Sequence, residues 1–143
     1  MAHALYFLVK NQQVYKNLQS ILESTLPDGG RSFTYEHIKN IPLLEGIINE
    51  TLRLKPVIPS GQPRVTPAQG LQIDEVYIPG DVNIIIPQFV IQRDERYFER
   101  AKEWIPERWV ADGDKAHMVK DKNAFFPFQL GKCFLAASDA KLF

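Results

Sequence analysis

Apolar residues recur at helical spacing in the first part of the chain. Val14, Leu18, Ile21 and Leu22 share one face, and polar residues fill the positions between them, which is the period of an amphipathic helix. A Pro-Asp-Gly-Gly run at 27–30 predicts the end of that helix. The apolar run before it, at 2–11, is too short for a signal peptide and is typical of the middle of a helix.

A second amphipathic stretch follows at 41–54. Thr34 is a plausible N-cap for a short helical turn through Ile38, and Pro42 suits the first turn of the longer helix after it. Lys55-Pro56 predicts its end. We expect its apolar residues to face a core: Leu44, Ile47, Ile48 and Leu52.

After Pro56 the pattern changes to short β-branched pieces separated by Pro and Gly. The pieces before and after Pro79-Gly80-Asp81 predict a hairpin across that turn. Charged residues return from Arg93 and lead through a polar loop to an aromatic terminal segment. With no repeat and no linker, we expect one α+β domain over 1–143, with helices first, then a small antiparallel sheet, then an irregular meander.

Composition narrows the class of protein. With 45% hydrophobic and 24% charged residues the chain is globular rather than disordered. The net charge of zero argues against a nucleic-acid-binding surface, which needs an excess of Lys and Arg. A single cysteine cannot form an internal disulfide, which favours an intracellular setting. No apolar run reaches the roughly 20 residues that span a bilayer, so we expect no transmembrane segment in this chain.

Individual candidate residues are ambiguous when each is taken alone. Glu50 and Arg53 share a helical face and can pair, as many exposed pairs do. Arg64 is a lone cation in an uncharged stretch, and Arg108 lies between two tryptophans, where it needs water or an acceptor. Cys133 is either a metal ligand or an ordinary buried cysteine. The three histidines, His3, His37 and His117, have no spacing suited to zinc.

The order of these signals is more specific than any one of them. The chain reads Glu-x-x-Arg on a helix, then Pro-Arg, a hairpin, R-D-x-x-x-F, P-E-R-W, and finally F-x-x-G-K before the cysteine. This order resembles the C-terminal part of a cytochrome P450, and the resemblance covers the chain from about Ala2 to Cys133.

The resemblance implies a role for each matching residue. Glu50, Arg53 and Arg108 correspond to the family's buried ion triad behind the haem (heme, iron protoporphyrin IX). The haem contacts are assigned to Arg64, which would hold a propionate, and to Phe128 and Gly131, while Cys133 would be the axial iron ligand. In this family a thiolate ligand favours O–O cleavage. The resemblance assigns Arg93, Asp94 and Phe98 structural roles and no residue a catalytic one.

The family resemblance also implies an activity and partners. P450 enzymes are monooxygenases that insert one oxygen atom from O₂ into a small organic substrate, with electrons from an NADPH-dependent reductase. Full-length relatives are often anchored to the endoplasmic reticulum membrane. The 143 residues contain neither the family's acidic-Thr oxygen-activating motif nor a membrane anchor. We therefore expect a truncated domain with marginal solubility and no turnover of its own.

The cysteine loop departs from the family pattern. The family spacing F-x-x-G-x-x-x-C-x-G puts the cysteine four residues after the first glycine, whereas Cys133 follows Gly131 by two and position 135 is Leu. The shorter loop predicts weak or absent haem binding, since a thiolate depends on the turn that aims it. Two alternatives to an oxygenase remain open: a non-catalytic remnant or interaction module, and a haem-binding protein without oxygenase activity.

Overall fold

The computed structural model describes residues 2–26, 30–31 and 33–130 of the chain. Its helices are α1 (Ala2–Lys10), α2 (Gln12–Thr25), α3 (Tyr35–Ile38), α4 (Pro42–Leu54) and α5 (Gln88–Ile91). Its strands are β1 (Arg64–Val65), β2 (Leu71–Ile73), β3 (Val76–Ile78) and β4 (Asn83–Ile84). Short 3-10 turns lie at Pro106–Trp109, Ala116–Met118 and Lys122–Ala124. The predicted α+β class is confirmed.

The first core forms between α2 and α4. Leu18 of α2 is buried against Leu43 and Ile47 of α4, and half-buried residues of α1 and α2 pack around them. The helix predicted around Val14–Leu22 is therefore confirmed, and α4 begins at Pro42 and ends before Lys55 as predicted. Thr34 directly precedes α3, but its side chain makes no capping hydrogen bond.

The buried face of α4 differs from the predicted one. Ile48 is 45% exposed, whereas Leu43 and Leu54 are buried. The reason is that Glu50 and Arg53 are also buried, so the inward face is centred on charged residues that an apolar pattern does not detect. Ile47, which was predicted to face the core, is buried in the structure.

The predicted hairpin across Pro79-Gly80-Asp81 is wrong. The hairpin is instead β2–β3, in which Ile73 pairs with Val76 and leaves Asp74 and Glu75 as the turn. Asp74 takes a left-handed φ of 48° there, a conformation that Asp tolerates better than most residues.

The strand after the Pro-Gly-Asp turn pairs with a distant segment. Strand β4 lies antiparallel to β1, with Arg64 opposite Ile84. The Thr66 side chain stabilises this pairing of β4 with β1. Its hydroxyl donates to the Pro79 carbonyl at 2.7 Å and accepts from the Val82 N–H at 2.9 Å. The turn therefore leads the chain back to β1 instead of closing a local hairpin.

A second core lies in the meander that follows α5. Phe98, Ala101 and Ala124 are buried there. The rings of Trp109 and Phe125 pack with centroids 4.4 Å apart. This core joins the 3-10 turn at Pro106–Trp109 to the aromatic segment near the C-terminal end of the described residues.

Within residues 2–26, 30–31 and 33–130, no helix combines the length and the apolar character needed to cross a bilayer.

The close approach of α4 to the 3-10 turn generates a stability prediction. A Cβ atom added at Gly46 would lie 2.5 Å from the Pro106 carbonyl oxygen, so Gly46→Ala must force backbone apart. We expect a loss of about 1–3 kcal/mol in unfolding free energy, measured by urea denaturation. Ile48→Ala, on the exposed face of the same helix, is the control. Equal stability of Gly46→Ala and the parent would show that the two elements separate without cost.

Candidate functional site

A buried carboxylate on α4 accepts five hydrogen bonds. Glu50 is 0% exposed, and its two oxygens each accept from Arg53: Nη2 donates to Oε1 and Nε to Oε2, both at 2.9 Å. Arg108, from the 3-10 turn, donates from Nε to Oε1 at 3.1 Å. The structure thus brings together Glu50, Arg53 and Arg108, here named the ion cluster.

Two further groups complete the coordination of Glu50. The Ile105 N–H donates to Oε1 and the Trp109 indole N–H donates to Oε2, each at 2.9 Å. Sequence reasoning treated Trp109 only as an apolar neighbour of Arg108 and missed this bond. The signal was present, since a buried indole N–H needs an acceptor.

The remaining donors of Arg53 bind backbone carbonyls of the meander. Its Nη1 donates to the Gln92 carbonyl at 2.5 Å and to the Ala101 carbonyl at 2.6 Å, while Nη2 also reaches the Glu103 carbonyl at 3.0 Å. The guanidinium carbon lies 5.1 Å from the centre of the Phe98 ring. Each nitrogen of this buried cation therefore has an acceptor.

Arg108 binds the same loop from its other side. Its Nη1 donates to the Glu99 carbonyl at 2.6 Å and its Nη2 to the Arg100 carbonyl at 3.3 Å. Nη1 also lies 3.4 Å from the Met118 carbonyl. The two arginines thus hold a loop with little regular structure onto α4.

The formal charges of the ion cluster do not cancel. Two cations, 0% and 2% exposed, face one carboxylate, and the carbonyl dipoles around them supply the remaining negative potential. Burial lowers the pKa of the Arg108 guanidinium, and the Glu50 carboxylate opposes that shift. Because desolvating such groups costs several kcal/mol per ion, the cluster contributes to arrangement more than to net stability.

A third arginine stacks beside the cluster. Arg93 donates to the Leu54 carbonyl at the end of α4, and its guanidinium lies 3.6 Å from the centre of the Phe89 ring. Burial, with a smaller contribution from Arg53, lowers its pKa. The neighbouring Asp94 instead forms an ion pair with exposed Arg96 at 2.6 Å. Arg93 therefore ties α5 to α4, whereas Asp94 pairs locally.

Arg64 lies apart from the ion cluster, on β1. Its half-buried guanidinium donates from Nη2 to the Leu130 carbonyl at 3.0 Å. The terminal segment begins at Phe125, and the structure describes it as far as Leu130. Leu130 and Phe128 are exposed apolar residues of this segment. Gly131 and Cys133 lie outside the described residues, so the structure reaches this segment only up to three positions before the cysteine.

An open cavity of about 200 Å³ lies beside this segment. It is lined by Asn49 and Leu52 of α4 and by residues 125–130. Within the described part of the chain, no group of three His, Cys, Asp or Glu side chains could hold a metal ion.

Comparison with known proteins accounts for this arrangement. The cytochrome P450 family model matches residues 1–133. The chain belongs to the cytochrome P450 family. The two arginines and one glutamate therefore lie in a domain of a family whose cofactor is haem.

Fungal P450 proteins are among its relatives. Cytochrome P450 monooxygenase eupD of Phoma sp is 46% identical over 127 residues, which are 89% of this chain and 42% of that protein. Cytochrome P450 monooxygenase orf5 of Eupenicillium brefeldianum is 38% identical over 131 residues, 92% of this chain and 25% of that protein. Tryprostatin B 6-hydroxylase of Aspergillus fumigatus is 35% identical over 127 residues, 89% and 22% respectively. The chain spans less than half the length of these curated relatives.

The described residues near the terminal segment fit one edge of a haem group. Haem is a flat apolar ring with two carboxylates, and the chain offers the Arg64 guanidinium bonded to the carbonyl of exposed Leu130, with exposed Phe128 two positions earlier in the chain. Only one donor of that guanidinium is engaged with a group in the described structure. The others suit a carboxylate, which guanidinium binds with two parallel hydrogen bonds.

The ion cluster generates the second prediction. Glu50→Gln keeps the side-chain volume but removes the charge that compensates Arg53 and Arg108. We expect a loss of about 3–5 kcal/mol in unfolding free energy, the usual cost of an uncompensated buried charge. Urea denaturation at neutral pH measures it.

The matched control is Glu103→Gln. Glu103 also pairs with an arginine, Arg100, but both side chains are about half exposed, so we expect no measurable loss. Equal effects of the two substitutions would show that the Glu50 carboxylate is not shielded from water.

Proposed function

We propose that the chain forms the thiolate-side part of a haem-thiolate monooxygenase domain, in which Cys133 is the residue that would hold the iron and the shortened cysteine loop makes haem binding by the natural chain weak or absent. The observation that carries the proposal is the hydrogen bond from Arg64 to the Leu130 carbonyl. It joins Arg64, the residue that we propose as the haem-carboxylate partner, to the segment that leads to Cys133, although the two bonded residues are 66 positions apart in the chain.

Arg64 and the residues of the terminal segment have different roles at the proposed haem site. Arg64 binds a propionate carboxylate with the donors that the Leu130 carbonyl does not use. Phe128 would contribute apolar surface to the haem ring, and Gly131 would leave the backbone free of a side chain beside it. When bound, haem supplies the activation of dioxygen, and the thiolate of Cys133 supplies electron density to iron.

The proposed reaction inserts one oxygen atom into an organic substrate. A C–H group, O₂, two electrons and two protons yield a C–OH group and water. An NADPH-dependent reductase supplies the electrons. The relatives eupD and orf5 are named monooxygenases, which supports the reaction class. Since the chain covers 42% of eupD, we propose this activity for a complete P450 protein and not for these 143 residues alone.

A second candidate is a non-catalytic P450 module that acts through protein contacts. The observation in its favour is the cysteine loop, in which Cys133 follows Gly131 by two residues and Leu135 stands where the family has glycine. Exposed apolar side chains on α1, at Leu5, Tyr6 and Val9, offer a surface for such contacts.

The loop spacing generates the third prediction. A variant with two residues inserted between Lys132 and Cys133, combined with Leu135→Gly, restores the family spacing. After reconstitution with haem, reduction and addition of carbon monoxide, we expect a red-shifted Soret band from this variant. We expect little or none from the natural chain, because its shorter turn misdirects the thiolate.

The control is the same restored variant carrying a serine for the ligand cysteine (C133S), which should lack the red-shifted band. Absence of a cysteine-dependent band from the restored variant would refute the proposed haem site. An equally strong band from the natural chain would uphold the site and refute the effect of the loop spacing.

A further inference from the structure

Gln88, on α5, reaches into the terminal segment. Its side chain is 0% exposed, and its amide Nε2 donates to the Phe126 carbonyl at 2.6 Å. These residues are 38 positions apart in sequence. A buried amide bond of this length fixes both partners, because loss of either one leaves the other desolvated and unbonded.

The Phe126 carbonyl also closes a turn. It accepts the Gln129 N–H at 2.9 Å, and Gln129 takes a left-handed φ of 70°. That conformation is unfavourable for residues other than glycine and persists only where surrounding contacts impose it. Arg64 binds the Leu130 carbonyl, one residue beyond this turn. The segment is held at its start by Gln88 and at its end by Arg64.

Helix α5, which carries Gln88, is attached to the rest of the structure by hydrogen bonds of its own. The Phe89 N–H donates to the Pro59 carbonyl at 3.0 Å, and the guanidinium of Arg93 binds the end of α4. Gln88 therefore transmits the position of α4 and α5 to the turn at 126–129.

We infer that Gln88 is a positioning residue, which sets the turn at 126–129 and through it the approach of Cys133 to the iron. This inference rests on the proposed function for its consequence at the haem, but the contact between Gln88 and the turn does not. Gln88 touches neither cofactor nor substrate in this role. Its effect passes through the Phe126 carbonyl.

Gln92 provides a matched control four positions along. It is also 0% exposed, but both of its side-chain polar atoms are buried without a hydrogen-bond partner among the described residues. Gln→Met preserves an unbranched side chain of similar size at either position. Gln88→Met and Gln92→Met thus remove the same amide from similar surroundings, and only the first removes the bond to Phe126.

The test is amide hydrogen exchange of the 143-residue chain, read at Gln129. We expect Gln88→Met to accelerate exchange of the Gln129 N–H about tenfold, the effect of losing one hydrogen bond. Gln92→Met should leave that rate unchanged. Urea midpoints of both variants, measured alongside, separate a local effect from general unfolding, since general unfolding accelerates exchange in α4 as well.

A haem titration of the loop-restored variant supplies the second readout. We expect Gln88→Met in that background to weaken haem binding and to diminish the thiolate band, while Gln92→Met does neither. Unchanged exchange at Gln129 in Gln88→Met would overturn the inference. So would faster exchange with unaltered haem binding. If the restored variant binds no haem, the proposed function fails, and the exchange result alone decides whether Gln88 positions the turn.

Discussion

One buried carboxylate organises the second half of the described structure. Glu50 accepts five hydrogen bonds from four residues, which are Arg53, Ile105, Arg108 and Trp109. The meander from Arg93 to Asn123 contains only short turns and one isolated bridge, so regular backbone pairing does not hold it. Its position depends on carbonyl groups that bind the two arginines, and those arginines depend on Glu50.

The identity of the cations matters as much as their charge. Arg53 uses all three of its nitrogens, toward one carboxylate and three carbonyls. A lysine at this position would present three donors from a single atom and could not span acceptors on α4 and on the meander together. The planar guanidinium thus explains how an irregular loop acquires one defined path, at the cost of burying two positive charges.

Sequence reasoning predicted the helices well and the long-range pairings poorly. The apolar face of α2, its end before the Pro-Asp-Gly-Gly run, and both ends of α4 followed from local signals, whereas the break at Asn11 between α1 and α2 was not predicted. The pairing of β1 with β4 depends on Thr66 bonding across the turn, which no local pattern encodes. The polar inner face of α4 was likewise hidden, because charged residues on a helix are ordinarily read as its exposed side. The grouping of Glu50, Arg53 and Arg108 came from family resemblance. Trp109 belonged to the P-E-R-W motif without being given a role, Gln88 belonged to no motif, and the contacts of both emerged only from their hydrogen bonds.

Within the described residues, the ion cluster and the terminal segment are attached mostly through different groups. Among the described residues, every partner of Glu50, Arg53 and Arg108 lies between positions 50 and 118. The terminal segment is attached by other contacts, namely the Trp109–Phe125 ring packing and the bonds from Gln88 and Arg64. Trp109 links the two, because its indole N–H binds Glu50 while its ring packs on Phe125.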